Sequence, residues 1–151
     1  MVNIRAANKN DIPRILELYQ QLSFDPGDYQ KAPEEDCRRV LEKMKRVPGY
    51  ELLVAEVDSE VVGTTVLVVL PGFARGTSSF AVVEYVVVDE KCRSRGIGKA
   101  LMEDCLARAK KAGCYKVMLT SDKRRDRAHK FYRSLGFEAS AEGFRYYFPP
   151  D

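Results

Sequence analysis

The residues best suited to chemistry lie where an apolar, strand-like segment gives way to glycines and cations. The glycines and cations are Arg93, Arg95, Gly96, Gly98 and Lys99. Glycine lets a backbone approach a pyrophosphate closely, and the first turn of a helix offers unpaired N–H groups at the positive end of its dipole. Glu84 is the single charged side chain inside the preceding strand. The stretch therefore indicates a cradle for a phosphorylated group donor beside an isolated carboxylate.

The spacing of the glycines excludes two common phosphate motifs. A P-loop requires G-x-x-x-x-G-K-[ST], but Arg93 stands at its first glycine position and Ala100 at its Ser/Thr position. The dinucleotide fingerprint G-x-G-x-x-G requires a third glycine where this chain has Leu101. What remains is an R-x-x-G-x-G turn over residues 93–98, with a strand before it and a long helix after it.

Length and composition bound the class of protein. The chain has 151 residues, of which 45% are hydrophobic and 31% charged, and its net charge is +3. These values predict one globular domain over residues 1–151. The charge is too small to favour a nucleic-acid partner, and no apolar run approaches the roughly 20 residues that span a bilayer. We therefore expect neither nucleic acid nor membrane among the partners.

The cysteines and the histidine argue against a metal. Cys37, Cys92, Cys105 and Cys114 show no C-x-x-C pairing, and His129 is the single histidine. Zinc sites are typically built from closely spaced pairs of these residue types, so no metal is expected. Without a secretory signal at the N-terminus, the thiols are predicted to be reduced and the protein cytoplasmic.

Strand-like and helix-like periodicities alternate along the chain. The predicted strands are residues 2–7, 51–57, 61–70, 80–88 and 114–120. The first helix is predicted to begin at residues 10–13. Further helices are predicted from Pro33 to Pro48 and over residues 96–112 and 126–135. A closing hairpin is predicted at residues 137–141 and 144–148. The pattern is that of an α/β domain with a mixed sheet.

Two motifs resemble the GCN5-related N-acetyltransferase (GNAT) superfamily. Arg93, Gly96 and Gly98 match its acetyl-coenzyme A motif [RQ]-x-x-G-x-[GA], and residues 128–137 resemble its A-x-x-F-Y-x-x-L-G-F signature. The order of predicted elements, β-α-α-β-β-β-α-β-α-β-β, is also similar. The resemblance implies the GNAT acyltransferase fold, in which helices flank a mixed, mostly antiparallel sheet. In that family the fourth strand carries a bulge and splays from the fifth.

The resemblance also implies transfer of an acetyl group from acetyl-CoA to a primary amine by direct attack, without a cysteine intermediate. The backbone of Val86, Val87 and Val88 is then expected to pair with the pantetheine arm, with an N–H near Val86 or Val87 stabilising the oxyanion. The pyrophosphate is expected at Arg93, Ser94, Arg95, Gly96, Ile97, Gly98 and Lys99. Residues 123–127 either contact the adenosine 3′-phosphate or are only solvated.

Two side chains are candidates for moving protons. An alkyl amine is protonated near pH 7 and must lose a proton before it attacks, so Glu84 is the expected general base, acting through a water. Tyr132 lies in the A-x-x-F-Y motif, and the resemblance assigns it the general-acid role toward the departing thiolate. Taken alone, Tyr132 would equally fit ordinary packing of a helix on a sheet.

The acceptor is the least determined part of the prediction. Asp25, Asp28, Tyr29 and Tyr85 are candidates to receive the amine of a small molecule or peptide, but they form no motif. Residues 84–89 and 113–117 have some likeness to glucosamine-phosphate acetyltransferases, which makes an amino sugar one alternative. A non-catalytic acyl-CoA-binding sensor is another. The last strand could also join a homodimer interface.

Overall fold

A computed structural model describes residues 1–24 and 29–150 of the chain. The candidate acceptor residues Asp25 and Asp28 lie outside these ranges. The chain divides into two compact units, the first spanning Met1–Leu119 and the second beginning at Thr120.

The first unit is built on a five-stranded sheet in the order β1-β2-β3-β4-β5. The strands are β1 (Asn3–Ala6), β2 (Tyr50–Val57), β3 (Glu60–Leu70), β4 (Ser79–Val88) and β5 (Cys114–Met118). The first four strands pair in antiparallel fashion, whereas β5 runs parallel to β4. The mixed, mostly antiparallel sheet predicted for the GNAT fold is thereby confirmed.

The described residues form four α-helices. They are α1 (Ile12–Gln20), α2 (Glu34–Lys45), α3 (Ile97–Lys111) and, in the second unit, α4 (Asp126–Ser134). A short 3-10 turn lies just before α1, and its N-terminal end is closed by a capping box. The Asn8 side chain accepts from Asn10 N at 2.9 Å, while the Asp11 carboxylate accepts from Asn8 N at 2.8 Å. Pro13 then fits the first turn of α1, where its missing N–H costs no bond.

The sheet is covered on both faces. One cluster joins α1 to the sheet through Ala7, Ile15, Leu18, Val54, Val61 and Val87. A second cluster joins α3 to the opposite face through Ala55, Val62, Ile97 and Leu101. β3 is consequently buried from residue 61 to residue 67, as expected for a strand covered on both sides.

A bulge interrupts the pairing of β3 with β4. Thr64 pairs with Val87 and Val66 pairs with Glu84, so that Thr65 alone opposes Tyr85 and Val86. Tyr85 adopts a φ of 55°, a left-handed conformation that is unusual for a bulky side chain. The bulge expected in the fourth strand is therefore present.

The closing hairpin predicted for the second unit does not form as strands. Residues 137–150 contain no hydrogen-bonded strand in the described structure. Phe144, Tyr146, Tyr147 and Phe148 are each more than three-quarters exposed. Aromatic residues favour a strand, but an isolated two-stranded hairpin is only marginally stable without an apolar face to cover it. The predicted hairpin is therefore wrong in the described structure, because strand-forming residues become a strand only where another strand is available to pair with them.

The end of β4 is tied to α1 by an ion pair. Arg14 Nε donates to Val61 O at 2.7 Å, and the same guanidinium donates to the Asp89 carboxylate. Asp89 is buried, and its other carboxylate oxygen accepts from Lys91 N at 3.1 Å. The Arg14 hydrogen bond, with help from Lys91 N, holds the pKa of Asp89 below its ordinary value.

Asp89→Asn should lower the free energy of unfolding by about 2 kcal/mol at pH 7, because it removes a charge-assisted hydrogen bond without changing the shape of the side chain. A carboxyl whose folded pKa is depressed stabilises above its unfolded pKa and loses that contribution as the pH falls through the folded value. The deficit relative to wild type should therefore shrink below about pH 4.

Urea unfolding at pH 7 and pH 3 measures this difference. The exposed Asp58 of the β2–β3 turn supplies the matched control, Asp58→Asn, which should match wild type at both pH values. An Asp89→Asn deficit of equal size at pH 7 and pH 3 would show that the charge of Asp89 does not contribute.

Candidate functional site

One edge of β4 is open over the second half of the strand. β5 pairs with β4 only at Ser79, Ala81 and Val82. Beyond Val82, the sheet of the described residues provides no strand partner on that side of β4. An unpaired strand edge can bind an extended ligand through backbone hydrogen bonds, as when a peptide strand is added to a sheet.

The alternation of β4 determines which backbone groups face this edge. Asp89 N donates to Val62 O on β3 at 2.8 Å, so the backbone groups of Val88 point to the opposite side. There Arg93 Nε donates to Val88 O at 3.2 Å. Val87 lies opposite Thr64 in the ladder and its side chain is buried in the core. Val86, like Val88, therefore presents its backbone to the open edge.

The open edge leads into the start of α3. Ser94 and Gly96 have φ values of 65° and 78°, and Gly96 is the N-cap of the helix. No side chain of the described residues caps α3, and Ala100 N, which donates to Gly96 O at 3.0 Å, makes the first backbone bond into it. A Cβ at Gly96 would meet no atom within 4 Å, so glycine is required there by its conformation and not by space.

The charges around this helix start are positive and exposed. Arg93, Ser94, Arg95 and Lys99 are all exposed, and Lys99 makes a long contact of 3.8 Å with Glu103. N–H groups without a capping side chain, a helix dipole of fifteen residues and three cations together favour an anion. The residues present therefore fit a diphosphate group, and the open edge of β4 ends at this same helix start.

Glu84 lies at the bulge, on the sheet face covered by α1 and α2. It pairs across the sheet with Val66, which in turn pairs with Leu52 of that face. The Glu84 side chain is exposed. An exposed carboxylate in the middle of a strand is accessible both to water and to an incoming amine.

Two tyrosines that the sequence did not single out as functional, Tyr19 and Tyr50, lie near Tyr85 and Glu84. The ring of Tyr85 lies 5.6 Å from that of Tyr19 on α1. Tyr50 lies on the same sheet face as Glu84, and burial, followed by Tyr85 and Glu84, raises the pKa of its hydroxyl. Burial also raises the pKa of Tyr19. Helical spacing marks Tyr19 as core, and the juxtaposition with Tyr50 depends on strand register, so no short motif could have revealed this cluster.

Tyr29, predicted as an acceptor contact, has a different partner. Its hydroxyl donates to Leu16 O on α1 at 3.1 Å. Tyr85, the other described acceptor candidate, is about half exposed and borders Glu84 in sequence. Of the described acceptor candidates, Tyr85 is thus the one that lies beside Glu84.

Tyr132 lies on α4 in the second unit. Its ring contacts Phe131 and Phe137 at centroid distances of 5.3 and 5.9 Å. Burial raises the pKa of the Tyr132 hydroxyl, which therefore remains protonated at neutral pH. Before α4, Arg124 Nε donates to the Asp122 carboxylate at 3.0 Å, and His129 Nε2 lies 2.9 Å from Asp122 O.

Two of the thiols are poorly suited to act as nucleophiles. All four cysteines are free. Burial raises the pKa of Cys105 to about 12 and also raises the pKa of Cys114. Since the thiolate is the nucleophilic form, both side chains are inert near neutral pH.

Neither a metal site nor a membrane span is found in the described structure. Residues 1–24 and 29–150 hold no cluster of three or more potential metal ligands. No helix within the same ranges is long and apolar enough to cross a bilayer.

The chain is similar to known acetyltransferases over nearly its whole length. The model of the "Acetyltransferase (GNAT) family" matches residues 12–137. A "Glucosamine 6-phosphate N-acetyltransferase" from Trypanosoma brucei brucei is 31% identical over 146 residues, which cover 95% of this chain and 94% of that protein.

Two solved structures are also similar to this chain over nearly its whole length. A "Putative acetyltransferase" from Agrobacterium tumefaciens is 32% identical, with a TM-score of 0.89 and coverage of 97% of this chain and 99% of that one. A "transcriptional regulator" from Bacillus halodurans is 30% identical, with a TM-score of 0.90 and coverage of 98% and 100%. The family match includes the helix start at Gly96, the Glu84 strand and the Tyr132 helix. The chain belongs to the GNAT family of acetyltransferases.

Proposed function

We propose that this enzyme transfers an acetyl group from acetyl-CoA to the primary amine of a small molecule or peptide by direct attack. GNAT acetyltransferases use acetyl-CoA, and the family match supports this donor. The observation that carries the proposal is the open edge of β4, which leads directly into the uncapped start of α3. The match spans residues of both compact units, which supports the proposal that residues 1–151 act as one domain.

For the donor, we assign the backbone of residues 86–88 to the pantetheine arm and residues 93–99 to the pyrophosphate. Bound acetyl-CoA supplies the activated acetyl group. The chain contributes extended backbone, helix N–H groups and cations. Because Val88 O already accepts from Arg93, Val86 is the principal backbone contact, and Arg93 fixes the end of the strand.

Acetyl-CoA and free CoA should each raise the melting temperature by several degrees at about 100 times Kd, whereas ATP and NAD should not. Gly96→Ala should lose most of this response, because alanine disfavours the φ of 78° that shapes the helix start.

Gly113→Ala is the matched control for that measurement. Gly113 has a φ of 81° and equally open surroundings, but it lies beyond the other end of α3. It should lose similar stability and keep the CoA response. A response to ATP or NAD alone, or an equal loss of response in both variants, would contradict the assignment of the cradle.

For the chemistry, we assign Glu84 as the general base, acting through water, and Tyr132 as the general acid toward the departing thiolate. The exposure of Glu84 supports access by the amine, and the raised pKa of Tyr132 supports a hydroxyl that still holds its proton at neutral pH. The elevated pKa values of Cys105 and Cys114 support direct attack over a cysteine intermediate.

Glu84→Gln and Tyr132→Phe should each lower kcat by about tenfold or more, because a positioned acid or base contributes roughly 10²–10⁴-fold. Both substitutions keep the size of the side chain, so the acetyl-CoA thermal response should persist. Tyr146→Phe, at an exposed tyrosine of the same unit as Tyr132, is the control for the hydroxyl deletion. A kcat that is unchanged across pH in Glu84→Gln would remove Glu84 from the mechanism.

An amino-sugar phosphate is the second candidate acceptor. The relative from Trypanosoma brucei brucei bears the name of a glucosamine 6-phosphate acetyltransferase, at 31% identity. The tyrosines beside Glu84 offer hydroxyl groups and ring faces that suit a sugar. A panel of glucosamine 6-phosphate, spermidine and a lysine-containing peptide compares the acceptor classes. Binding of CoA without turnover of any amine would instead favour the sensor function.

We also propose that the enzyme is a cytoplasmic homodimer, in which a second copy covers the aromatic residues near the C-terminus. Phe144, Tyr146 and Phe148 are each more than 80% exposed, and the rings of Tyr146 and Phe148 lie 5.3 Å apart. Apolar side chains so concentrated in one exposed segment are typical of an interaction surface. The four free cysteines suit a reducing compartment.

Light scattering should give twice the mass of the chain for the wild-type protein and the single-chain mass for a variant with serine at residues 144, 146 and 148. Phe73 is equally exposed, but it lies in the first unit, so Phe73→Ser is the control and should remain dimeric. A monomeric wild type, or a dimer that survives the triple substitution, would contradict this interface.

A further inference from the structure

Two neighbouring threonines are fully buried in the central strand β3. Thr64 and Thr65 both have 0% exposure, in a stretch that otherwise consists of valine, leucine and glycine. A buried hydroxyl is costly unless it forms a hydrogen bond. Each of these hydroxyls has one, but the two bonds run to opposite neighbours of β3.

The two partners differ in their relation to the site. Thr64 Oγ1 donates to Leu53 O on β2 at 2.7 Å, within a regular part of the sheet. Thr65 Oγ1 donates to Glu84 O on β4 at 3.1 Å. Thr65 is the single residue opposite the bulge, and the carbonyl that it binds belongs to the peptide just before Tyr85.

That peptide determines where the functional groups of the bulge point. Its orientation is coupled to the φ of 55° at Tyr85, a conformation that persists only when the surrounding structure holds it. The Glu84 side chain precedes the peptide, the Tyr85 ring beside Tyr19 follows it, and the outward-facing backbone of Val86 comes next. A rotation of this one peptide would displace all three.

We propose that the Thr65 hydroxyl is a positioning group for catalysis, which locks the Glu84–Tyr85 peptide and thereby holds Glu84 and the Val86 backbone in register with each other. Thr65 is fully buried within the sheet, so it would act only through the bulge. The inference rests on the proposed function, because it takes Glu84 as the base. The simpler alternative is that the hydroxyl contributes to stability alone, as Thr64 does.

The pair Thr65→Val and Thr64→Val separates these alternatives, because both delete a buried, hydrogen-bonded hydroxyl from adjacent positions and nearly preserve side-chain shape. Thr65→Val should lower kcat at least about fivefold, because Glu84 is misplaced by a fraction of an ångström, and should also raise the KM for acetyl-CoA, because the Val86 backbone moves with it. Thr64→Val should lose comparable melting temperature and keep kcat within about twofold. Thr65→Ser keeps the hydroxyl, so it should retain most of the wild-type activity that Thr65→Val loses.

Amide hydrogen exchange at residues 84–88 tests the bulge without turnover. Exchange there should accelerate in Thr65→Val but not in Thr64→Val, and Thr65→Ser should be close to wild type. Equal kcat in the two valine variants, or a Thr65→Ser variant as slow as Thr65→Val, would overturn the proposal. If wild-type protein binds acetyl-CoA but acetylates no amine, the proposed function fails, and the exchange pattern alone decides whether Thr65 holds the bulge.

Discussion

The structure of the site depends on a strand that is paired on one side only. Beyond Val82, β4 keeps its bonds to β3 and has no strand on its other edge in the described sheet. An open edge offers backbone groups for binding. A strand with one partner, however, is held by fewer backbone hydrogen bonds than a central strand. Binding through backbone groups requires that those groups stay in place. Contacts made by Thr65, Arg14 and the core around Val87 restrain this half of β4.

The restraint is applied at both ends of the open edge. At one end the fully buried Thr65 holds the bulge through Glu84 O, and at the other Arg14 holds Asp89 from the side of α1. The same guanidinium also binds Val61 O, so one side chain joins α1, β3 and the end of β4. Between these ends, the side chain of Val87 is buried in the α1 cluster. Polar contacts thus fix the ends of the segment, and apolar packing fixes its middle.

Local chemistry explains what could be predicted from the sequence. The start of α3 was predictable because glycine at residue 96 meets a conformational need within a few residues, a φ of 78° at a helix N-cap. Tyr19 and Tyr50 were not predictable as neighbours of this site. Tyr19 reaches Tyr85 through the packing of α1 on the sheet, and Tyr50 comes near Tyr85 and Glu84 through strand register. The closing hairpin predicted at residues 137–141 and 144–148 does not form as strands in the described structure. A sequence pattern can identify a segment that forms a strand, but it does not identify the segment or chain with which that strand pairs.

Tyr85 shows how stability and function are balanced at the bulge. Glycine would adopt a φ of 55° without strain, whereas a non-glycine residue in the left-handed region costs about 1 kcal/mol or more. The tyrosine ring offsets part of this cost by its contact with Tyr19, and it places an aromatic side chain next to the exposed carboxylate of Glu84. Strain of this kind persists only where the neighbours over-determine the backbone, and here Thr65 and the paired valines of β3 do so. The bulge is therefore a place where the sheet gives up regular pairing, and some stability, to turn a strand edge and a carboxylate toward a substrate.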